Sequence, residues 1–437
     1  MERGMTRRGF LAAAGAAAAS AGAGAGTGGA ERLAKWRRGH FQVHFIHTGV
    51  GESVFMVFPD STTMLLDCGD QAAMTRLGLA VPVVPDASRL AGDWIARYVL
   101  RVNPNGDRVD YIESSHLHAD HIGTPTWQSH APPWDYLGSR GRNRDNWYYC
   151  RSGFGLAAEH LRFGKAIDRG YPDYPDPVRF ADGPDMELRH LSSLYRWLAK
   201  RDGLTVEAAR LGDSTQIRPL RDPASVRDFR VDVFAANGRI LRKDGTVHDC
   251  YAGIDRSAVG RVNENGVSIG HVFTYGKFRF YTAGDLCDNG RYKGMSAPAN
   301  VELEAAKALG HVSVAKTNHH AHYNSMPREL VAALSPQVWV TCAWDVLHAV
   351  RPVMRVLSDR SVYPGDRLNV PTVLPDCRLR EDRDEPWLND VPAEVRGKGA
   401  HVVVDVPPGG ETYSLTFVDP TDEEMRVLGR RSFVTSS

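Results

Sequence analysis

The chain has 437 residues, of which 42% are apolar and 24% charged, with a formal net charge of +1. That length can bury one large core or two small ones, and a charge so near zero excludes the broad Lys/Arg field on which non-specific nucleic-acid binding depends. The six cysteines, Cys68, Cys150, Cys250, Cys287, Cys342 and Cys377, lie far apart without a Cys-x-x-Cys spacing, which excludes a zinc ribbon.

Residues 1–30 read as an export signal and linker. Thr6-Arg7-Arg8-Gly9-Phe10-Leu11 precedes a weakly apolar Ala/Gly run with small-residue pairs such as Ala21-Gly22-Ala23, the pattern of a twin-arginine signal with a cleavage site. The run is too short and glycine-rich to span a bilayer, so the mature chain is expected in the periplasm or secreted, with no transmembrane segment. Removing residues 1–25, which carry Glu2, Arg3, Arg7 and Arg8, moves the net charge from +1 to −1.

From Trp36 to the end the pattern predicts one layered α/β domain, 36–437. Strands are expected at Phe41–Ile46, Ser53–Phe58 and Thr63–Asp67, then an amphipathic helix at Ser88–Val102 with Leu90, Trp94, Ile95 and Tyr98 on one face. A strand-like run, Val109–Ser115, follows. Residues 122–250 lose the strand rhythm and are expected to be an insertion, carrying a helix at Met186–Lys200 and, within it, the one pair of cysteines placed to form a disulfide, Cys150 and Cys250. Strand signals return at Phe229–Ala235, Val267–Thr274 and Phe278–Thr282; then helix Val301–Leu309, strand Val312–Lys316, helix Arg328–Leu334 and strand Gln337–Cys342 alternate.

The chemistry sits in His116-Leu117-His118-Ala119-Asp120-His121, directly after a predicted strand. Imidazole and carboxylate hold a borderline cation such as zinc at roughly 2.0–2.2 Å. A solvated polar loop would have to collect three of only 17 histidines here by chance. His116 and His118 can reach one ion, leaving Asp120 and His121 for a second. His130, His160 and His190 read as structural or exposed, His271 as a strand residue and His322 as a surface one; His248 is an outside candidate.

The hexapeptide matches the HxHxDH signature of the metallo-β-lactamase superfamily, and the chain resembles that family elsewhere. Leu65-Leu66-Asp67-Cys68-Gly69, Thr282-Ala283-Gly284-Asp285 and Lys316-Thr317-Asn318-His319-His320 look like its other motifs, in order. Within the family, His47-Thr48-Gly49-Val50-Gly51-Glu52-Ser53 and Asn265-Gly266-Val267-Ser268 are most similar to the hydrolase domain of DNA-uptake competence proteins and to phosphorylcholine esterases. Those carry Asp-Val-Gly-Gln-Gly-Asp where this chain has His47 and Glu52. The resemblance implies a four-layer αββα sandwich and two divalent cations, zinc with manganese as the alternative. It implies His116, His118, Asp120, His121, Asp285 and His320 as ligands, Asp285 bridging. Asp67 would anchor a ligating imidazole from behind. The family's third histidine on the first ion is replaced by Asn265, a neutral oxygen donor that binds more weakly and suits a harder ion better. Asp120, His319 and His348 would act on water, substrate oxygen or leaving group.

The implied activity is hydrolysis by water activated between two cations, on a phosphodiester-like substrate, small or a polymer end, and anionic. A lactonase or other acyl hydrolase of the same fold is the alternative. Trp127, Trp134, Tyr136, Trp147, Tyr148 and Tyr149 with Arg140, Arg142 and Arg144 are expected to form a stacking and anion-binding wall beside the pocket.

Overall fold

The computed structural model describes residues 30–71, 74, 77–124, 140–142, 148–175, 185–255, 262–290 and 299–436. In chain order the strands are β1 (Phe41–Phe45), β2 (Val54–Val57), β3 (Thr63–Leu66), β4 (Arg108–Glu113), β5 (Arg140–Arg142), β6 (Tyr148–Cys150), β7 (Arg162–Asp168), β8 (Thr205–Ala208), β9 (Phe229–Ala236), β10 (Arg239–Leu241), β11 (Val247–Asp249), β12 (Gly270–Tyr275), β13 (Phe278–Thr282), β14 (Val314–Lys316), β15 (Val338–Thr341), β16 (Leu368–Pro371), β17 (His401–Val406), β18 (Thr412–Val418) and β19 (Val427–Val434). They build a nine-stranded sheet, β19-β18-β17-β1-β2-β3-β4-β7-β8, an eight-stranded sheet, β11-β10-β9-β12-β13-β14-β15-β16, and a small β5-β6 ribbon.

Alternation along the strands makes the layers. Phe41, Val43 and Phe45 of β1 and Val54 and Met56 of β2 join Phe273, Phe280 and Val233 of the second sheet in one core between the sheets. Phe41 stacks on Phe273 with centroids 5.9 Å apart and meets Phe229 edge-on at 5.1 Å. The opposite face of the first sheet, Phe55, Val57 and Leu65, packs against Ile95, Tyr98 and Val99 of the helix Ala91–Val102 and Leu191, Leu194 and Leu198 of the helix Asp185–Asp202. Helices Val301–Ala308, Arg328–Leu334 and Arg351–Ser358 add Val301, Leu330, Leu334 and Leu357 to the core on the second sheet's side. The two sheets with helices outside each make an αββα sandwich.

Polarity of the strands decides where a site can lie. β3, β4, β7 and β8 run parallel in the first sheet, as do β13, β14, β15 and β16 in the second. Their carboxyl ends collect the loops that begin at Asp67, Ser114, Ala283, Thr317 and Cys342, and in open α/β sheets the crevice beyond such ends is where ligands bind.

Three expectations are corrected. Residues 122–250 are not an insertion with those bounds: β7 and β8 extend the first sheet beside β4, and β9, β10 and β11 lie in the second. Arg162–Asp168 hides its strand character behind Gly164 and Lys165, and Lys165 meets Glu207 of the neighbouring β8 at 2.6 Å near the sheet edge, where a polar pair stays hydrated. Nor does a disulfide join Cys150 to Cys250; Cys150 ends β6, where its N–H donates to His190 Nδ1 at 3.2 Å, while Cys250 follows β11. The strand expected at Val267–Thr274 begins only at Gly270, because Asn263 Oδ1 accepts the Asn265 N–H at 2.9 Å and winds Glu264–Val267 into a 3-10 turn.

Residues 1–29, where the export signal is expected, lie outside the described residues, as do Trp127, Trp134, Tyr136, Arg144 and Trp147 of the expected wall. Tyr149 is described and packs flat on Trp197, centroids 4.3 Å apart, as part of the outer core. Among the described residues no helix is long and apolar enough to cross a membrane.

Candidate metal centre

Three loops meet where β3 and β4 end. Glu52 N–H and Cys68 N–H donate to the carbonyls of Asp120 and His121 at 2.8 and 2.7 Å, and Asp70 N–H to that of Ala119 at 3.0 Å. Gly69 is required by that closeness, since a Cβ there would lie 1.7 Å from the Asp120 carbonyl oxygen. Across the crevice, Gly284 adopts φ +49, and a Cβ would press to 2.8 Å from Ser115 Oγ. Its freedom brings Asp285 inward from the end of β13. His319, His320 and Ala321 all take left-handed φ, 44, 50 and 58, strained conformations that persist at sites the surroundings over-determine.

The donor atoms converge. His116 Nε2 and His118 Nδ1 are 3.1 Å apart. Asp285 Oδ2 lies 3.1 Å from His121 Nε2, 3.4 Å from His320 Nε2 and 3.8 Å from His116 Nε2. Asp120 Oδ2 lies 3.0 Å from His320 Nε2 and 3.6 Å from His121 Nε2. Ligand atoms at roughly 2.1 Å from a tetrahedral ion sit about 3.4 Å from one another, so these spacings suit shared cations better than a purely hydrogen-bonded cluster. The orphaned atoms agree: His121 Nε2, Asp285 Oδ1 and Asn265 Oδ1 are buried and have no hydrogen-bond partner. Such groups are costly unless something pairs with them. The residues therefore fit divalent metal ions.

Electrostatics divides the histidines. Burial and the neighbouring His121 hold His116 well below the ordinary imidazole range, in the neutral form that ligates. Burial also opposes charge on His121 and His320, but Asp285 and Asp120 outweigh it, lifting His121 well above its usual value and His320 to about 9; a cation would have to displace those protons. Asp67, left-handed at φ 58, accepts from His121 Nδ1 at 2.8 Å and from the Ser115 N–H and Oγ at 2.7 Å each. Burial pushes Asp67 up to about 6 against the pull of His121. With Nδ1 so occupied, His121 presents Nε2 to Asp285. His320 donates Nδ1–H to the Cys342 carbonyl at 2.9 Å, which aims its Nε2 the same way.

His319 and Asn265 form a pair that fixes both side chains. His319 donates Nδ1–H to Asn324 Oδ1 at 2.7 Å, so its Nε2 accepts from Asn265 Nδ2 at 3.1 Å. Asn265 thereby turns its carbonyl oxygen, the orphan, away from His319 and leaves it open to a cation. In this arrangement His319 holds Asn265, with both nitrogens engaged. His348 stacks on His320, centroids 4.8 Å apart, and accepts the Asp345 N–H on Nδ1 at 3.2 Å, leaving Nε2–H as a donor. Half-buried His322 lies at 5.0 Å from His319 and 6.2 Å from His348 by ring centroids, closer to the centre than a surface residue would be. His271 is elsewhere, bonded to both oxygens of Glu113 at 2.7 and 2.8 Å, and His248 sits beside Arg242 at 2.9 Å.

The sequence reading did not assign Glu52 and Lys316. One oxygen of Glu52 groups with His121, Asp285 and His320 within 4.8 Å. Lys316 Nζ holds that carboxylate at 2.9 and 3.0 Å. A charged residue ending the apolar run Val312–Lys316 was the available sign of a buried partner.

No protein-family model matches the chain, and no curated protein does. Among solved structures, one described as a metal-dependent hydrolase of the beta-lactamase superfamily is similar, at 13% identity and a TM-score of 0.32, over 76% of this chain and 96% of that one. A likeness that faint leaves the chemistry to be read from the side chains themselves.

Proposed function

We propose that this chain is a metal-dependent hydrolase with a two-cation centre that cleaves phosphoesters, phosphodiesters before monoesters. The observation that carries the reading is Asp285: one buried carboxylate whose Oδ2 lies 3.1 to 3.8 Å from Nε2 of His116, His121 and His320 while its Oδ1 is orphaned. His116, His118 and Asn265 would hold one ion, and Asp120, His121 and His320 the other, with Asp285 common to both. Two divalent ions, zinc or manganese, would supply a nucleophile from water near neutral pH and Lewis-acid stabilisation of the oxygens being exchanged. The protein's part is orientation and proton handling. Burial pushes Asp120 up, but His121 and His320 outweigh it and hold the carboxyl well below the usual range, so it stays an acceptor for the proton of the attacking water. His348, kept neutral by burial and by His320, offers Nε2–H to a non-bridging or departing oxygen.

Phosphoester cleavage is favoured over β-lactam hydrolysis because Cys287, the cysteine nearest Asp285 in sequence, donates its thiol to Asn289 Oδ1 at 3.1 Å, and burial pushes that thiol well up, away from thiolate ligation; a lactonase or other acyl hydrolase of the same fold is the second reading. The test is a panel on metal-reconstituted protein: bis(p-nitrophenyl) phosphate, p-nitrophenyl phosphate, a lactone and p-nitrophenyl acetate. Turnover of the diester should exceed that of the others, and turnover confined to the lactone or acetate would replace this reading with an acyl hydrolase. We place the reaction outside the cytoplasm on the strength of Arg7-Arg8 and the Ala/Gly run behind them. Fractionation of cells expressing wild type and the Arg7→Lys/Arg8→Lys double variant tests it, with export expected only for the former.

A further inference from the structure

Two ion pairs with no exposed side-chain surface cross between the sheets at the site end of the sandwich. Glu52, in the turn from β1 to β2, meets Lys316 at the end of β14 at 2.9 and 3.0 Å. Arg169, directly after β7, forks onto Glu264, which opens the turn before β12, at 2.5 Å from Nε and 3.0 Å from Nη2. Stability alone does not account for them, since a buried ion pair is often no better than well-packed apolar residues of the same volume.

Each pair also holds the backbone of one set of ligand loops. Lys316 Nζ donates to the Gly284 carbonyl at 3.0 Å and to that of Thr317 at 3.1 Å, beside Asp285 on one loop and ahead of His320 on the other. The Glu52 N–H donates to the Asp120 carbonyl at 2.8 Å. Glu264 Oε1 accepts the N–H of Leu117, between His116 and His118, at 3.3 Å, and Glu264 immediately precedes Asn265. Arg169 and Asn237 exchange bonds, Nη1 to Oδ1 at 3.3 Å and Nδ2 to the Arg169 carbonyl at 2.6 Å, which ties the fork to the end of β9.

We infer that these pairs are two positioning struts, Arg169–Glu264 setting the half of the centre made by His116, His118 and Asn265, and Glu52–Lys316 setting the half made by Asp120, Asp285 and His320. The inference rests on the two-cation reading above. Glu52 is a strut and not a ligand: its charge is matched by Lys316, and it lies 3.5 Å from Nδ1 of His320, the edge opposite the Nε2 that faces Asp120.

The experiment uses two double variants that remove both charges of a pair, Arg169→Met/Glu264→Gln and Glu52→Gln/Lys316→Met, so that no orphan charge is left buried. Stepwise zinc binding is measured by competition with a chromophoric chelator, with His118→Ala and His320→Ala marking which step belongs to which half. The first double should weaken the step lost in His118→Ala by about ten- to a hundredfold, the range for outer partners of metal ligands, and leave the other within about twofold. The second double should do the reverse. Wild type binding fewer than one ion would sink the two-cation reading itself. Wild type binding two, with both doubles unchanged or both steps weakened equally, would overturn the struts alone. If a double fails to fold by circular dichroism, Arg169→Lys and Lys316→Arg, which keep charge but change donor geometry, must show the same asymmetry; an even or absent effect overturns the inference. Loss of the His320 step in Glu52→Gln alone with Lys316→Arg unaffected would make Glu52 a ligand and likewise overturn it.

Discussion

The two halves of the proposed two-cation centre share the loop after β4 yet draw on different chemistry. On one side His116 and His118 face each other at 3.1 Å, and the third donor on offer is the neutral oxygen of Asn265. On the other, Asp120, His121 and His320 crowd within 3.0 to 3.6 Å, with Asp67 behind His121. The first half has no carboxylate of its own, while the second has one ligating and one supporting. A cation's affinity follows ligand charge and basicity, so the halves should differ in strength, the second binding first and the first half exchanging more readily with solvent ions.

The largest effect should come from the residue the halves share. Asp285→Asn removes the carboxylate that lies within 3.8 Å of Nε2 of His116, His121 and His320 alike, and hydrolysis should fall by about a thousandfold or more, equivalent to several kcal/mol of lost charge stabilisation. Elemental analysis should find less than one ion per chain; two retained ions would show that nothing is bridged and dissolve the comparison.

Next are the variants that empty one half. His320→Ala and Asp120→Ala should each cost about a hundredfold or more in kcat/KM while leaving an ion on His116 and His118, as read by metal content and by circular dichroism for an intact fold. Wild-type turnover by either would remove them from the centre.

How much of this was legible in the sequence differs between the halves as well. The hexapeptide announces itself because four ligand-type side chains cluster after an apolar strand, whereas Asp285 and His320 are reached only through the family resemblance, since a lone carboxylate at a strand end is ordinarily a cap. Asn265 was noticed only as a gap, for an amide carries no spacing signal of its own, and its link to His319 exists only once β12 and β14 lie in one sheet. The pairs behind the centre join residues hundreds of positions apart, Glu52 with Lys316 and Arg169 with Glu264, and no local pattern records such contacts. The same holds for the fold. β1 to β4 stand out as short apolar-rich runs whose expected bounds lie close to those observed, whereas β7, interrupted by Gly164 and Lys165, reads as insertion, and β17 to β19 return from the C-terminal part to pair with β1 by contacts that only the folded chain displays.

A smaller effect should follow from making the halves alike. Asn265→His offers the first ion a third imidazole, and zinc affinity of the weaker step should tighten by about tenfold, ~1.4 kcal/mol, measured by the same chelator competition. An unchanged weaker step would mean that residue 265 does not face that ion, and the asymmetry would then need another cause.

The smallest expected effect lies behind the second half, where Glu302 supports the turn that carries His320. It is fully buried, accepts from Asn318 Nδ2 at 2.8 Å and from the Met326 N–H at 2.9 Å, and burial raises its pKa from 4.5 to about 8. A carboxyl whose pKa is raised on folding contributes stability that is fully present below the unfolded value and lost as pH climbs through the folded one. Thermal stability should therefore decline between about pH 4.5 and 8 through this residue. Glu302→Gln keeps an acceptor for Asn318 and Met326 but cannot ionise, so its Tm should match wild type near pH 5 and exceed it by about 1 to 2 °C at pH 8 to 9, the shift expected from roughly 1 kcal/mol in a domain of about 400 residues. Parallel melting curves for the two proteins across that range would show that Glu302 does not titrate in the window, and that the Asn318 turn is held by a carboxylate charged throughout.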